Sequence, residues 1–317
     1  MQAFRFYVKN PRIFMVGLLF RFGKLLPDKL YLLILYRLTM KKKLDLKNPR
    51  TFNEKLQWLK LYYRKPEFTN MVDKFAVKKY VENRIGKEYV IPTLGVWKSS
   101  NDIDWNCLPD QFVLKTTHGS GGHSVSICKD KENFDIEAAK TKMEWSLKNS
   151  DTYIHYKEWP YKNVKKRIIA EEFITMAKYA PLGDAVDSDL KDYKFFCFNG
   201  KVRCFKVDFG RFTNHHANYY SPLGEILPFG ETCCTPDFSH KEILPENLSK
   251  MIELAEKLSF GLPFIRVDLY NIYGKIYFGE LTFFPAGGVG AFTDEEWDRK
   301  LGDWLELPQK RSWYENS

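Results

Sequence analysis

Phe112-Val113-Leu114-Lys115-Thr116-Thr117-His118-Gly119-Ser120-Gly121-Gly122-His123-Ser124 decides how the whole chain is read. A short apolar strand delivers a lysine, a loop carrying three glycines follows, and Ser124 to Cys128 reads as a returning strand. Glycine lets backbone N–H groups come close to a polyphosphate. Lys115 adds a point charge beside them. The order excludes a Walker A loop, in which the lysine follows the glycines and opens a helix. It is not G-x-G-x-x-G either. Alone, the loop reads equally well as a glycine-rich hairpin turn.

Two further blocks narrow the choice. Ile265-Arg266-Val267-Asp268-Leu269-Tyr270 and Tyr277-Phe278-Gly279-Glu280-Leu281-Thr282 each place one acid inside a hydrophobic strand. A carboxylate there is costly unless it is paired or holds a metal. On hairpin-linked strands the two acids face each other, a geometry suited to Mg²⁺ between protein and phosphates. Arg266 and Asp268 are two apart and share a face, so an Arg266 ion pair is the plain structural alternative. Arg167-Ile168-Ile169-Ala170-Glu171-Glu172-Phe173-Ile174 is an apolar strand ending in two acids, able to present backbone groups to an adenine edge.

Around these blocks the pattern is α+β, with largely antiparallel sheets. Residues 1 to 66 read as helical. Thr51 with Glu54 is a capping box, opening a helix from Glu54 to Tyr63. A second helix is predicted from Asp73 to Asn83, a strand over Tyr89 to Leu94, and an amphipathic helix over Asp135 to Lys148. Hairpins are predicted across Asn199-Gly200 and across Asn271 to Gly274, with a helix over Leu248 to Leu258 between them. The expected organisation is a basic helical segment (1–66), a first subdomain with the glycine-rich loop (67–175) and a second with the metal site (176–317).

Charge supports that division. The chain of 317 residues carries +9 overall, but residues 1–66 hold +13 and the remainder −4. A uniformly basic nucleic-acid binder is excluded by that asymmetry. A basic N-terminal segment instead suits anionic lipid or glycan, and peripheral contact with the inner membrane is expected equally with packing onto the body. Ile13–Phe20 and Leu30–Tyr36 are too short to cross a bilayer, and no cleavage site follows the first run, so a cytoplasmic protein is expected. The six cysteines show no C-x-x-C spacing and read as buried thiols in a reducing compartment.

Taken together, the blocks resemble the ATP-grasp superfamily, and specifically its teichuronopeptide-biosynthesis (TupA-like) branch. Asn48-Pro49-Arg50-Thr51-Phe52-Asn53-Glu54-Lys55-Leu56-Gln57-Trp58 is similar to that branch's opening signature. The resemblance continues through Phe112–Ser124, Ala170–Ile174, Asp192-Tyr193-Lys194 and Arg266–Gly290, covering about residues 30 to 300. It implies the ATP-grasp fold, two α+β subdomains clasping ATP, here with a helical N-terminal segment. It implies ATP and Mg²⁺ as cofactors. By the same resemblance, Lys74 and Lys115 contact phosphate, and Gly119, Ser120, Gly121 and Gly122 cover it. Glu171, Phe173 and Ile174 form the adenine hinge. Asp192 binds ribose, with Lys194 beside it. Asp268 and Glu280 hold Mg²⁺, and Arg266 stabilises the oxyanion. Thr282 stands where many relatives carry a metal-binding Asn, so its hydroxyl becomes the third metal ligand to test.

The resemblance also implies a carboxylate–amine ligase acting on a surface polysaccharide. Its expected partners are an amino acid or amine donor and a uronic acid-containing acceptor. A rival is a glycosyltransferase of the same pathway, on the strength of Asp187-Ser188-Asp189 as a D-x-D metal motif. Pro285-Ala286-Gly287-Gly288-Val289-Gly290 is expected near the acceptor carboxylate, its amides binding the anion. His215-His216 shows no third ligand at zinc spacing.

Overall fold

The computed structural model describes residues 10–119, 121–150, 152–175, 190–210 and 214–309. Helices α1 (Pro11–Phe22) and α2 (Asp28–Met40) come first, followed by α3 (Phe52–Tyr62), α4 (Glu67–Val72) and α5 (Val77–Ile85). Strands β1 (Thr93–Trp97), β2 (Phe112–Thr116) and β3 (Val125–Cys128) lead into α6 (Ile136–Asn149), α7 (Thr152–Tyr156) and β4 (Ile168–Glu172). The second half runs β5 (Asp192–Phe198), β6 (Lys201–Phe209), β7 (His216–Tyr220), α8 (Leu248–Ser259), β8 (Phe264–Ile272), β9 (Lys275–Thr282) and α9 (Glu295–Trp304).

Local chemistry explains most boundaries. Thr51 Oγ1 accepts from Glu54 N at 3.3 Å while Glu54 Oε2 accepts from Thr51 N at 3.1 Å, closing the capping box that starts α3. The helix expected over Asp73–Asn83 starts later, at Val77, and a short helix not expected from the sequence, α4, precedes it. Asp73 Oδ1 accepts from Phe75 N and Ala76 N at 2.9 and 3.1 Å, ending α4 and turning the chain into α5. The strand expected at Tyr89–Leu94 begins at Thr93, because Pro92 has no N–H to give a ladder. Both long hairpins turn on two left-handed residues, Asn199-Gly200 (φ 50° and 78°) and Tyr273-Gly274 (φ 47° and 84°). These are the two-residue turns that match strand twist.

All strand pairings are antiparallel, in a first sheet ordered β1-β4-β2-β3 and a second ordered β7-β6-β5-β8-β9. The first sheet buries Phe112, Leu114, Ile168 and Ala170 against Ala139 and Met143 of α6. The second buries Phe195, Val267 and Leu269 in a larger core that takes in Met251, Leu254 and Leu258 of α8. Phe52, Leu56 and Leu59 of α3 belong to that larger core, although they lie within residues 1–66. The segment's own cluster centres on Leu19, Tyr31, Leu32 and Leu35 of α1 and α2. A small cluster of Ile91, Ile174, Ile272 and Tyr277 joins the two halves.

Candidate active site

Register places a row of charges across the second sheet. Lys206 stands opposite Lys194, Lys194 opposite Asp268, and Asp268 opposite Glu280. Directly paired residues share a face, so these side chains project together. A bulge between Asp268 and Leu269 pairs Leu269 with Phe278 and leaves Gly279 unpaired. There a Cβ would lie 3.1 Å from the Asp268 carbonyl oxygen, which is why the close approach takes glycine.

Arg266 clamps both acids. Its Nε and Nη2 donate to Asp268 at 2.7 and 2.6 Å, and Nη2 donates to Glu280 Oε1 at 2.9 Å. Thr282 Oγ1 donates to the same Glu280 oxygen at 3.3 Å. Burial, helped by the nearby Asp192 and Glu280 carboxylates and opposed by Arg266, pushes the Asp268 carboxyl up to about 7. Burial also pushes Glu280 up, but Lys74, Arg266 and Lys194 together outweigh it and hold it below the usual carboxylate range. Beside this cluster, Lys194 Nζ meets Asp192 Oδ2 at 2.5 Å and Asp208 Oδ2 at 2.6 Å.

The first sheet, α5 and the turn before it supply cations. Lys115 Nζ lies 2.7 Å from Glu171 Oε2, and Lys78 Nζ lies 2.5 Å from Glu171 Oε1. Burial pushes the Glu171 carboxyl up, yet these two ammoniums prevail and hold it low. Lys74 is fixed by its backbone N–H on Thr117 O (3.0 Å), and its Nζ donates to Gly119 O at 2.6 Å. Burial lowers the Lys74 ammonium, with Glu280 opposing that fall.

These groups meet in one cleft of about 930 Å³ between the two sheets. Lys74, Lys78, Lys115, Glu171, Asp192, Asp208, Asp268 and Glu280 line its polar part, with Gly121 and Gly122 at the loop. Val90, Ile91, Val113, Ile127, Ile174, Leu190, Tyr270 and Phe278 line an apolar part. A slot with one greasy wall for a flat base and one wall of lysines and acids for phosphates has the chemistry of a nucleotide site.

A family model described as TupA-like ATP-grasp matches residues 54–306. The chain belongs to the TupA-like ATP-grasp family. No curated protein matches it. Among solved structures, the D-alanine–D-alanine ligase of Bacillus anthracis complexed with ATP is similar at 15% identity and TM-score 0.42, over 74% of this chain and 63% of that one. The D-alanine–D-alanine ligase of Helicobacter pylori is similar at 14% and 0.41, over 83% and 68%. An ATP-grasp RimK domain protein of Sphaerobacter thermophilus is similar at 12% and 0.40, over 77% and 70%. The chain thus spans less than two thirds of the B. anthracis ligase.

An ATP-grasp domain takes ATP with Mg²⁺, and the donors present fit that pair. Two carboxylates and a hydroxyl converge on adjacent strands, all oxygen as Mg²⁺ requires, beneath lysines suited to phosphate. Of the residues singled out in the sequence, Lys74, Lys115, Gly121, Gly122, Glu171, Phe173, Ile174, Asp192, Asp268 and Glu280 line the cleft. Lys194, Arg266 and Thr282 stand behind it and hold the carboxylates that do. Gly119 contributes its carbonyl to Lys74, and Ser120 lies outside the described residues, as do Asp187-Ser188-Asp189. The side chain of Glu171 serves the lysines, and the backbone beyond Glu172 lines the cleft at Phe173 and Ile174.

Lys78 and Asp208 were not read from the sequence. Lys78 follows Lys74 by four residues, and Asp208 is a further acid inside an apolar strand, so the rule that found Asp268 applies to it equally. His215 does find company: its Nε2 lies 3.0 Å from Asp208 Oδ1, with Cys234 near enough to share an ion. Lys194 already occupies Asp208, however, and two adjacent ammoniums oppose a further cation there.

The Pro285–Gly290 loop is organised differently from the expected amide nest. Residues Ala286, Gly287 and Gly288 are left-handed (φ 48°, 62° and 64°), and the carbonyls of Gly287, Gly288 and Gly290 are held by α3. Lys60 Nζ donates to Gly287 O at 2.5 Å, Gln57 Nε2 to Gly288 O at 2.5 Å, and Asn53 Nδ2 to Gly290 O at 2.9 Å. The Gly287 and Val289 amides are spent inside the loop, on Phe284 O and Ala286 O. The polar residues of the opening signature therefore fix this loop.

Gly119→Ala is expected to damage the phosphate loop. Its Cβ would fall 2.3 Å from Ser124 Cβ and 2.4 Å from Thr116 Oγ1, both on buried residues. Overpacking of this kind costs about 1–3 kcal/mol. A lower melting temperature and weaker nucleotide binding should follow, whereas Gly122→Ala, with nothing within 4 Å, should leave melting unchanged.

Proposed function

We propose that this protein is an ADP-forming carboxylate–amine ligase that joins an amino acid or amine to a uronic acid carboxylate of a surface polysaccharide or its precursor. The observation that carries the reading is the facing of Lys115 on the first sheet, with Lys74 from the turn before α5 beside it, and the Asp268–Glu280–Arg266 cluster on the second sheet, across a single cleft. The polysaccharide part rests on the opening signature and its branch.

In this reading the acceptor carboxylate attacks the γ-phosphorus of ATP, releasing ADP and forming an acyl phosphate. The amine then attacks the acyl carbon, loses a proton and displaces phosphate as the amide forms. Asp268 and Glu280 would hold Mg²⁺, with Thr282 steadying Glu280 from behind, and the ion would supply charge neutralisation at the transferred phosphoryl group. Lys115 and Lys74 hold phosphate oxygens, with Glu171 fixing the position of the Lys115 ammonium. Arg266 keeps both metal-binding carboxylates in one orientation and spreads developing negative charge. Lys194 orients Asp192 towards a ribose.

The test is ADP release from ATP in the presence of paired uronic acids and amino acids. Release that needs both substrates, and that falls on the order of 10²-fold or more in Lys115→Met, supports the reading. Absence of nucleotide binding by the purified protein, or turnover of UDP-sugars without ATP, overturns it.

A further inference from the structure

Helix α1, with the sequence PRIFMVGLLFRF, carries large apolar side chains all the way round, with Arg12 and Arg21 near its two ends as its charged residues. Water-facing helices of globular proteins are polar on the face turned away from the core. Here Val16, Leu19 and Phe20 hold the helix to the body. Phe20 leans on His155 at 4.8 Å and on Tyr156 at 5.6 Å between ring centres. Gly23 continues that contact line, lying so close to Tyr31 that a Cβ would meet its ring at 2.2 Å. The anchored positions 16, 19, 20 and 23 thus form one stripe. Ile13, Phe14, Met15, Leu18, Phe22 (59% exposed) and Leu25 (89%) stand off it in solvent.

The charge around this patch has one sign. Arg12, Arg21, Lys24 and Lys29 are all exposed. From residue 10 to 44 the one acid is Asp28, and it is neutralised from behind by Arg64 at 2.8 Å and Lys157 at 3.6 Å. A patch of large apolar side chains rimmed by uncompensated cations complements an anionic lipid surface. The 12 residues of α1 give about 18 Å of helix against roughly 30 Å of hydrocarbon. Such a helix lies in the interface and does not cross it, in keeping with the absence among described residues of any helix long and apolar enough to span.

We infer that α1 and the turn after it form a membrane-docking surface, which inserts Phe14, Leu18, Phe22 and Leu25 among the acyl chains of an anionic bilayer while Arg12, Arg21, Lys24 and Lys29 meet lipid phosphates. The inference is independent of the ligase reading. It concerns a face of the molecule that contributes nothing to the cleft.

Co-sedimentation of the full chain with vesicles tests it, comparing phosphatidylglycerol–phosphatidylcholine mixtures with pure phosphatidylcholine. Binding should appear on the anionic vesicles, weaken as salt rises, and fall about tenfold or more in the triple variant Phe14→Ser, Leu18→Ser, Phe22→Ser. The double variant Arg12→Glu, Lys24→Glu, which leaves the apolar patch intact, should lose the preference for anionic vesicles. All substituted side chains are exposed, so melting temperature should hold. No binding to anionic vesicles at low salt overturns the proposal, as does binding unchanged in both variants. So does sedimentation showing a wild-type dimer that the triple variant dissolves without any vesicle binding, which assigns the patch to a second copy of the chain.

Discussion

Asp268→Asn is expected to abolish ATP-dependent ADP release, by on the order of 10³-fold, while leaving the protein folded. The substitution keeps the shape of the side chain and removes one of the two carboxylates that face the phosphate lysines. Asp268 is almost fully buried and accepts two hydrogen bonds from Arg266. An amide oxygen can keep one of them. Its carboxyl is raised to about 7, first by burial. A group raised in the folded state gives stability below its unfolded pKa and loses it as pH rises through the folded value. Removing it therefore relieves a cost above pH 7, which offsets the lost hydrogen bond. The signature is a melting temperature within a few degrees of wild type beside lost turnover and a weakened Mg²⁺ requirement. Turnover within tenfold of wild type would take Asp268 out of the metal set.

The second large effect belongs to Lys60, far from the chemistry in sequence. It is fully buried, and its ammonium serves Gln57 Oε1 at 3.1 Å, Tyr156 O at 2.9 Å and Gly287 O at 2.5 Å. Lys60→Met strips the lysine donor from all three, leaving Gly287 O only the longer bond from Gln57 Nε2 at 3.4 Å, and removes the cation opposite buried Glu158. Breaking such a site typically costs about 3–5 kcal/mol, a fall in melting temperature on the order of 10 °C. The loss should depend on pH. Burial lowers Lys60 to about 8, so the wild type carries the cost of charging it most fully below that pH. Methionine removes that cost at pH 5. Burial raises Glu158 to about 7, and Lys60 opposes that rise. Without the lysine, ionising Glu158 above pH 7 costs more. Both effects have the same sign, so thermal melts should show a larger penalty at pH 8 than at pH 5. An equal penalty at both would mean the pair is not electrostatically coupled.

The contrast between these residues shows what the sequence discloses. Asp268 and Glu280 stood out because each breaks a strand's apolar run, and adjacent strands of a hairpin must face each other. Lys115 stood out because glycines follow it. Those signals are local, and the cleft assembles from them. Lys60 sits in a helix among other polar residues, where a lysine carries no mark. Its burial depends on a loop that arrives 227 residues later. Lys78 escaped notice for a related reason, since its partner Glu171 lies on another element. Strand order was equally hidden. The hairpins were legible from Asn199-Gly200 and Gly274, but the placement of β4 between β1 and β2 is set by pairing over distance.

The hold that α3 takes on the Pro285–Gly290 loop also has a timetable. Gln57 and Lys60 meet carbonyls 231 and 227 residues further on, and Phe52 packs against Phe198, Phe264 and Phe292. During synthesis at about 5–20 residues per second, that wait is on the order of ten to forty seconds. Throughout it, α3 stands with an apolar face uncovered, and at its start two of the three acceptors of its lysine do not yet exist. The first sheet, whose strands and α6 close among themselves, can form in the interval. The nascent chain therefore passes through a stage in which α3 is less finished than the sheet that follows it, with its apolar face open to a chaperone.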